Sequence, residues 1–304
     1  MPEPVPWRDL AGARQESANA HTIGCIVKDT RRTAVSGSWY PASSAALAAA
    51  VDGYLDGAAA EDAGRPDLSH LVALIAPHAG LMYSGPVAAF AYRQLQRHQI
   101  DVAVLVGPSH FVGFDGVSMY RGGFDSPLGV AELDESCADA ISAATPIVRD
   151  HPSAHAREHS LEMQLPFLKR LAPDAKIVPL LMGFQNGETA RALGAALGDA
   201  LRGRRALLIA STDLSHYHDA ATAARLDAVV IDFVSRFDPE GLQSALDLQP
   251  GHACGGGPTV AVMRAARQLG ATDAVVLKYA DSGDVSGDKS AVVGYLAAAL
   301  GTRS

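Results

Sequence analysis

The sequence predicts a three-layer α/β/α sandwich around a mostly parallel sheet. Short, continuous apolar runs are bounded by turn-forming residues, which is typical of strands buried on both faces. These runs alternate along the chain with segments of helical spacing, as they do in layered α/β folds. Two of the runs also end in a Pro-containing turn that carries a histidine, and in open α/β sheets ligands bind beyond the ends of the strands.

The apolar runs predict strands over residues 71–76, 101–106, 117–120, 175–182, 206–211, 274–279 and 290–300, with a short strand over 23–27. Helical spacing predicts helices over residues 43–55, 84–98, 134–144, 161–168, 188–201, 220–235, 239–246 and 259–269. Ser43 or Ser44 is a suitable N-cap for the first helix, and Pro86 suits the first position of the second. Pro166 is expected to kink or restart the helix that contains it.

Length and composition describe a globular chain with a large core. Of its 304 residues 48% are hydrophobic and 19% charged, and no break in composition marks a domain boundary. We therefore expect one α/β domain over residues 34–304, preceded by a poorly organised lead-in over residues 1–33.

The net charge and the cysteines exclude several classes of function. The formal net charge is −8 and no block of Lys or Arg stands out, so nucleic acid and membranes are not expected partners. No apolar run is long enough to span a bilayer, and the N-terminus lacks the pattern of a secretory signal. Three widely spaced cysteines without a Cys-x-x-Cys pair argue against a disulfide framework, so we expect a cytoplasmic protein.

Histidines follow two of the predicted strands. His78 lies in the turn Pro77-His78-Ala79-Gly80, and His110 closes the turn Pro108-Ser109-His110. Two neighbouring parallel strands would place both imidazoles at the same edge of the sheet. With one thiolate they would suit a divalent transition metal, either non-haem Fe(II) or Zn(II).

Cys254 is the candidate thiolate, and it has two possible roles. It precedes Gly255 and a predicted helix, so its sulfur is expected near a helix N-terminus, which favours thiolate. That thiolate would ligate a metal, or would act as a nucleophile with His216 as its base. The alternative for Cys254 is an ordinary buried residue, which is how we interpret Cys25 and Cys137.

Further polar residues lie near the same predicted edge. Asp213 is three residues before His216 in a turn, where it would orient that imidazole for proton transfer or simply cap the next helix. Glu158 and His159 are candidates for a second acid/base or supporting pair, unless Ser160 only caps a helix.

Aromatic residues near the predicted site are candidates for substrate binding. Trp39 and Tyr40 either anchor the N-terminal segment or form a wall of the pocket. We assign Trp39, Tyr40, Tyr83 and His159 to substrate binding.

Six segments together resemble the Memo family (mediator of cell motility), whose prokaryotic members are called AmmeMemoRadiSam system protein B. They are residues 37–41, 75–80, 107–110, 158–163, 211–216 and 253–255. The family is similar in fold to the class III extradiol dioxygenases, which hold Fe(II) with two His and one Glu and use another His as acid/base. The resemblance therefore implies His78 and His110 as metal ligands, Cys254 in the place of the Glu, and His216 as the catalytic histidine.

The cysteine is the important departure from the dioxygenase pattern. A thiolate is softer than a carboxylate, so copper or zinc becomes an alternative to Fe(II). The system name implies an association with a radical-SAM protein. We expect a metal-dependent redox enzyme that acts on a small-molecule substrate, with phenols as the expected class. The alternatives are a peptide- or small-anion-binding module with the same pocket, and a metal-free hydrolase with Cys254 as nucleophile.

Overall fold

The computed structural model describes residues 30–61 and 68–303 of the chain. The strand expected over residues 23–27, Cys25 and most of the predicted lead-in lie outside the described residues. None of the helices within the described ranges is long and apolar enough to cross a membrane.

In the described residues, every long apolar run from residue 71 onward forms a strand, with ends shifted by a few residues. The strands are β1 (Thr30–Arg31), β2 (His70–Ala76), β3 (Val102–Pro108), β4 (Val117–Met119), β5 (Gly123–Phe124), β6 (Val148–Arg149), β7 (Lys176–Met182), β8 (Ala206–Ser211), β9 (His216–His218), β10 (Asp273–Asp281) and β11 (Val292–Thr302). The helices are α1 (Ser44–Glu61), α2 (Leu81–Arg93), α3 (Glu135–Ala144), α4 (Pro152–His155), α5 (Leu165–Leu171), α6 (Gly187–Ala200), α7 (Ala220–Ser235), α8 (Pro239–Leu248), α9 (Gly256–Gln268) and α10 (Gly283–Ser286).

The main sheet has the strand order β10-β11-β2-β8-β3-β7-β4-β6, and β9 pairs with β11. Its centre is parallel, because β2, β8, β3 and β7 all run in the same direction. Strands β10, β11 and β4 add antiparallel pairs towards the two edges. The prediction of a mostly parallel sheet is confirmed.

Helices cover both faces of this sheet, which confirms the three-layer α/β/α prediction. On one face, α1, α2 and α5 bury apolar residues such as Leu47 and Phe167 against Leu74 and Leu105. On the other face, α3, α6, α7, α8 and α9 pack against residues such as Val104. Each strand of the parallel centre therefore has an apolar layer on either side, which explains its continuous apolar sequence.

One detail of the predicted order was wrong. The strands that precede His78 and His110, β2 and β3, are not neighbours, because β8 pairs with both of them. All three strands are parallel, so their carboxyl ends still meet at one edge of the sheet. The segment after β8, with Asp213 in the turn and His216 at the start of β9, is therefore central at that edge.

Two prolines show where local rules hold and where they fail. Pro166 is the second residue of α5, which restarts after a 3₁₀ turn over Glu162–Gln164, as expected. Helix α2 begins at Leu81, so Pro86 lies inside the helix and not at its first position. The backbone donor that Pro86 lacks would have bonded to the carbonyl of Met82, whose side chain is 58% exposed, so this turn faces water.

The last residues of the predicted lead-in belong to the folded structure. Thr30 and Arg31 pair with Gly123 and Phe124. The Arg31 guanidinium is buried and forms an ion pair with Glu162, with 2.6 Å between Nη1 and Oε2. This end of the lead-in is held by a buried charge pair and is not poorly organised.

Candidate metal centre

Three side chains from remote parts of the chain meet at the carboxyl edge of the parallel strands. His78 follows β2, His110 follows β3 and Cys254 precedes α9. One ligand atom from each residue lies within 4.8 Å of the other two. The Cys254 Sγ is 3.2 Å from His78 Nε2, and the two imidazole centroids are 5.2 Å apart.

Hydrogen bonds fix the tautomer of His78. Its Nδ1 is 2.8 Å from Ser211 Oγ. That hydroxyl donates its hydrogen to the carbonyl of Ser160 and accepts from Gln164 Nε2, so it is an acceptor towards His78. Nδ1 therefore carries the hydrogen, and Nε2 presents its lone pair to the centre. Burial, followed by the neighbouring His110 and His159, lowers the pKa of His78 well below 6.5 and keeps the imidazole neutral.

Glu158 holds His110 in the same tautomer. Its Oε1 is 2.9 Å from His110 Nδ1, and its Oε2 accepts from the His110 backbone N–H at 2.6 Å. The backbone N–H groups of His159 and Ser160 also donate to Oε1. Burial opposes ionisation of Glu158, but the hydrogen bonds from His110 outweigh it and lower the carboxyl pKa to about 2. Nε2 of His110 is thereby left as a ligand atom, in the carboxylate–histidine–metal pattern.

Glycines bring Cys254 to the centre. A Cβ on Gly255 would lie 2.7 Å from Thr212 Cβ and closer still to the carbonyl oxygen of Ser211, so only glycine allows this turn to pack on β8. Gln185 Nε2 donates to the Cys254 carbonyl at 2.7 Å, and the backbone N–H of Asp213 is 3.2 Å from Sγ. Burial raises the pKa of the Cys254 thiol, so a cation is needed to stabilise the thiolate here.

The structure differs from the prediction for Asp213 and His216. Asp213 Oδ1 accepts from the backbone N–H of His78 at 2.7 Å, and Nδ1 of His216 bonds to the carbonyl of Leu214 at 2.8 Å. Asp213 therefore fixes the His78 turn and does not orient His216; the expected contact was wrong because the Asp213 side chain turns towards β2. Burial raises the pKa of Asp213 to about 7.

His216 is not the neighbour of the cysteine that a nucleophile would need. Sγ of Cys254 contacts His78 Nε2 and the backbone of Asp213. His216 donates from Nδ1 to a carbonyl, so its Nε2 carries the lone pair. Burial lowers the pKa of His216, and its imidazole is within electrostatic range of His78 and His110.

The predicted substrate-binding residues separate into three groups. His159 and Trp39 lie beside the centre: the ring of His159 stacks on His110 at 4.7 Å and lies 4.3 Å from Trp39, which is 37% exposed. Tyr40 is buried, and its hydroxyl donates to Glu162 at 2.7 Å, so it is an anchor rather than a pocket wall. Tyr83 lines a separate cavity of about 520 Å³ between α1, α2 and β10.

Several supporting residues were not identified from the sequence. Ser211 and Gln164 gave no separate signal, although Ser211 lies in one of the recognised segments. Asp227 is a buried carboxylate on α7 that accepts from the backbone N–H of Ser215 at 2.9 Å, next to His216. The hydroxyl of Ser160 donates to the carbonyl of Pro108, so the predicted helix cap was wrong.

The residues present fit a transition-metal ion. The two imidazoles have Nδ1 bonded to Ser211 or Glu158, which leaves Nε2 of each as the atom that can coordinate. The third donor is a sulfur, which together with imidazole suits iron, copper or zinc better than magnesium or calcium.

Comparisons with known proteins point to one family. The family model described as "Memo-like protein" matches residues 31–299. A MEMO1 family protein of Methanosarcina mazei is 39% identical, covering 88% of this chain and 98% of the relative. Those of Methanothermobacter thermautotrophicus and Caldivirga maquilingensis are 39% and 34% identical, covering 87% and 89% of this chain and 98% and 99% of the relatives. The crystal structure of the uncharacterized protein JW3007 from Escherichia coli K12 covers 74% of this chain and 99% of its own at 16% identity, and its TM-score of 0.47 is too low to inform the site.

Proposed function

The chain belongs to the family of Memo-like proteins, and we propose that it is a metal-dependent redox enzyme acting on a small molecule, with phenols as the first class to test. The observation that supports this proposal is the convergence of His78, His110 and Cys254, with both imidazoles held in the tautomer that ligation requires. His216, whose Nε2 carries a lone pair, lies within electrostatic range of both imidazoles.

His78, His110 and Cys254 would hold Fe(II), or else copper or zinc. Iron or copper would supply one-electron chemistry with dioxygen, and any of the three would act as a Lewis acid. The chain's own contribution is to orient the ligands: Ser211 and Glu158 hold the Nδ1–H groups of the two imidazoles. The backbone N–H of Asp213 supports the sulfur of Cys254.

His216 would move the proton during the reaction. Its Nδ1–H is committed to the carbonyl of Leu214, so Nε2 is the atom that would accept a proton from a substrate hydroxyl. Because burial lowers the pKa of His216, the imidazole is neutral and ready to act as a base at neutral pH. The rings of Trp39 and His159 are tilted by 54° to each other, and either ring would offer an aromatic face to a planar substrate.

Charge and cysteine content also bear on the substrate class and on the location of the protein. The acidic chain without a basic block favours a small-molecule substrate over nucleic acid or a membrane. The scarcity of cysteines is compatible with the cytoplasm. A radical-SAM protein of the same system is the partner that the family resemblance suggests.

Oxygen uptake by metal-loaded protein tests this proposal. The protein is loaded anaerobically with Fe(II), with a copper-loaded sample in parallel, and is then assayed against a panel of catechols. We expect uptake that depends on the metal and on the catechol, and about 10²- to 10⁴-fold slower turnover for His216→Gln at unchanged metal content. The matched control is His218→Gln, because that exposed histidine lies two residues away. Stoichiometric metal without oxygen uptake would contradict the redox proposal.

A binding module is the second candidate, and one observation favours it. Trp39 and Phe111 are 37% and 50% exposed beside the centre, which is a common arrangement for recognition of a peptide or another ligand. Under this alternative, ligand binding would survive undiminished in a Cys254→Ala, His110→Ala double variant. The redox enzyme requires that variant to lose both metal and activity.

A further inference from the structure

Glu158 is a buried carboxylate without a permanent cation. Its side chain is 2% exposed, and among the described residues its carboxylate lies within ion-pair distance only of the imidazoles of His110 and His159. The guanidinium of Arg31 pairs with Glu162 and contacts Glu158 at the backbone carbonyl. Buried charges in proteins are normally paired or associated with a metal.

The hydrogen bonds of Glu158 favour the ionised form. Oε1 accepts from His110 Nδ1 and from the backbone N–H groups of His159 and Ser160, and Oε2 accepts from the backbone N–H of His110. Three of these partners are backbone N–H groups, which can only donate, and they favour the carboxylate. The carboxylate in turn makes His110 Nδ1 a donor. The negative charge is thus fixed one imidazole away from the place where the three ligand atoms converge.

His78 has no such charge behind it. Its Nδ1 bonds to the neutral hydroxyl of Ser211, which is held in turn by Ser160 and Gln164. The two imidazoles are therefore geometrically alike but electrostatically different. Ser211 supplies orientation alone, whereas Glu158 supplies orientation and a full negative charge.

From this asymmetry we propose that Glu158, acting through His110, is the residue that makes the centre select divalent over monovalent metal ions. The proposal rests on the metal centre of the proposed function. Without Glu158, two imidazoles and a sulfur are a donor set that also suits Cu(I). A negative charge roughly 6 Å from the ion attracts a divalent ion more strongly than a monovalent one. At an effective dielectric constant of about 20, this difference changes the ratio of the two affinities by about 50- to 100-fold. Glu158 is thus a positioning residue for His110 whose charge also sets the preferred ion.

The test is the ratio of the Zn(II) and Cu(I) affinities, measured anaerobically by competition with chromophoric chelators. Glu158→Gln is expected to lower both affinities, that for Zn(II) more than that for Cu(I), so that the Zn(II)/Cu(I) affinity ratio falls at least about 50-fold. In Glu158→Gln the new amide N–H₂ would face a backbone N–H donor, which could disturb the local structure. Glu158→Ala removes the same charge without that conflict, and we expect the same fall in the affinity ratio. Glu158→Asp keeps the charge, so both affinities change together and the ratio stays near that of the wild type.

Ser211→Ala is the matched control, because it removes the partner of the other imidazole without changing a charge. It should weaken both ions by a similar factor and leave the ratio unchanged. An unchanged ratio in Glu158→Gln and Glu158→Ala, with both ions still bound, overturns the inference but leaves the metal centre intact. An equal fall of the ratio in Ser211→Ala also overturns it. A wild-type protein that binds neither ion removes the proposed function and this inference with it.

Discussion

The buried ion pair between Arg31 and Glu162 is expected to control both stability and the position of Trp39. Glu162 is fully buried; its Oε2 accepts from Arg31 Nη1 at 2.6 Å and from the backbone N–H of Ala34 at 2.7 Å. Its Oε1 accepts from Val35 N–H and from the Tyr40 hydroxyl. Glu162→Gln would leave the buried guanidinium without a counter-charge and would turn an amide towards at least one donor. Breaking a buried pair in this way typically costs about 3–5 kcal/mol of unfolding free energy.

Urea denaturation of Glu162→Gln measures that loss, with Glu188→Gln as a control because Glu188 is exposed on α6. The variant should also release the segment that carries Trp39, whose ring is 4.3 Å from His159. In a Trp7→Phe background Trp39 is the single tryptophan of the chain, so its emission should shift to longer wavelength at low urea. A loss below about 1 kcal/mol with unchanged emission would refute the reasoning, because an exposed pair gives that result.

Two other predictions concern the glycine turn and the response to acid. Gly255→Ala should weaken metal binding at least tenfold and lower stability by about 1–3 kcal/mol, measured by chelator competition and urea denaturation, because its Cβ would overlap the backbone of Ser211. Burial lowers the pKa of His155 to about 3 from 6.5, so the unfolded chain takes up a proton between these values and the folded chain does not. The stability is complete above about pH 6.5 and falls as the pH drops towards 3. His155→Phe should flatten that fall in urea denaturation at a series of pH values, and an unchanged slope would contradict the assignment.

The sequence predicted the layers and the edge at which the candidate ligands meet. Residues 71–76 form a continuous apolar run because β2 is covered by helices on both faces, and that burial is visible in the residues themselves. His78 and His110 follow such runs, so the rule for the ends of parallel strands was sufficient to bring them together. The order of the strands was not predictable, because pairing of β8 between β2 and β3 depends on long-range packing.

Contacts between segments that are distant in the sequence could not be predicted from the spacing of residues. Asp213 and His216 are three residues apart, which suggested a mutual contact, but β8 lies next to β2 and Asp213 turns to the His78 backbone instead. Arg31 and Glu162 are separated by 131 residues, and Arg31 lies in a segment without periodicity. The local sequence around Arg31 and Glu162 does not indicate that either charge is buried.

The most direct test of the metal centre is Co(II) titration of the wild type and of Cys254→Ser, followed by absorption spectroscopy. Cobalt reports both stoichiometry and sulfur ligation, since a thiolate ligand adds a charge-transfer band in the near ultraviolet. We expect one equivalent of Co(II) to bind with that band in the wild type, loss of the band in Cys254→Ser, and much weaker binding in His110→Ala. Binding without the band, or binding that is indifferent to both substitutions, would contradict it.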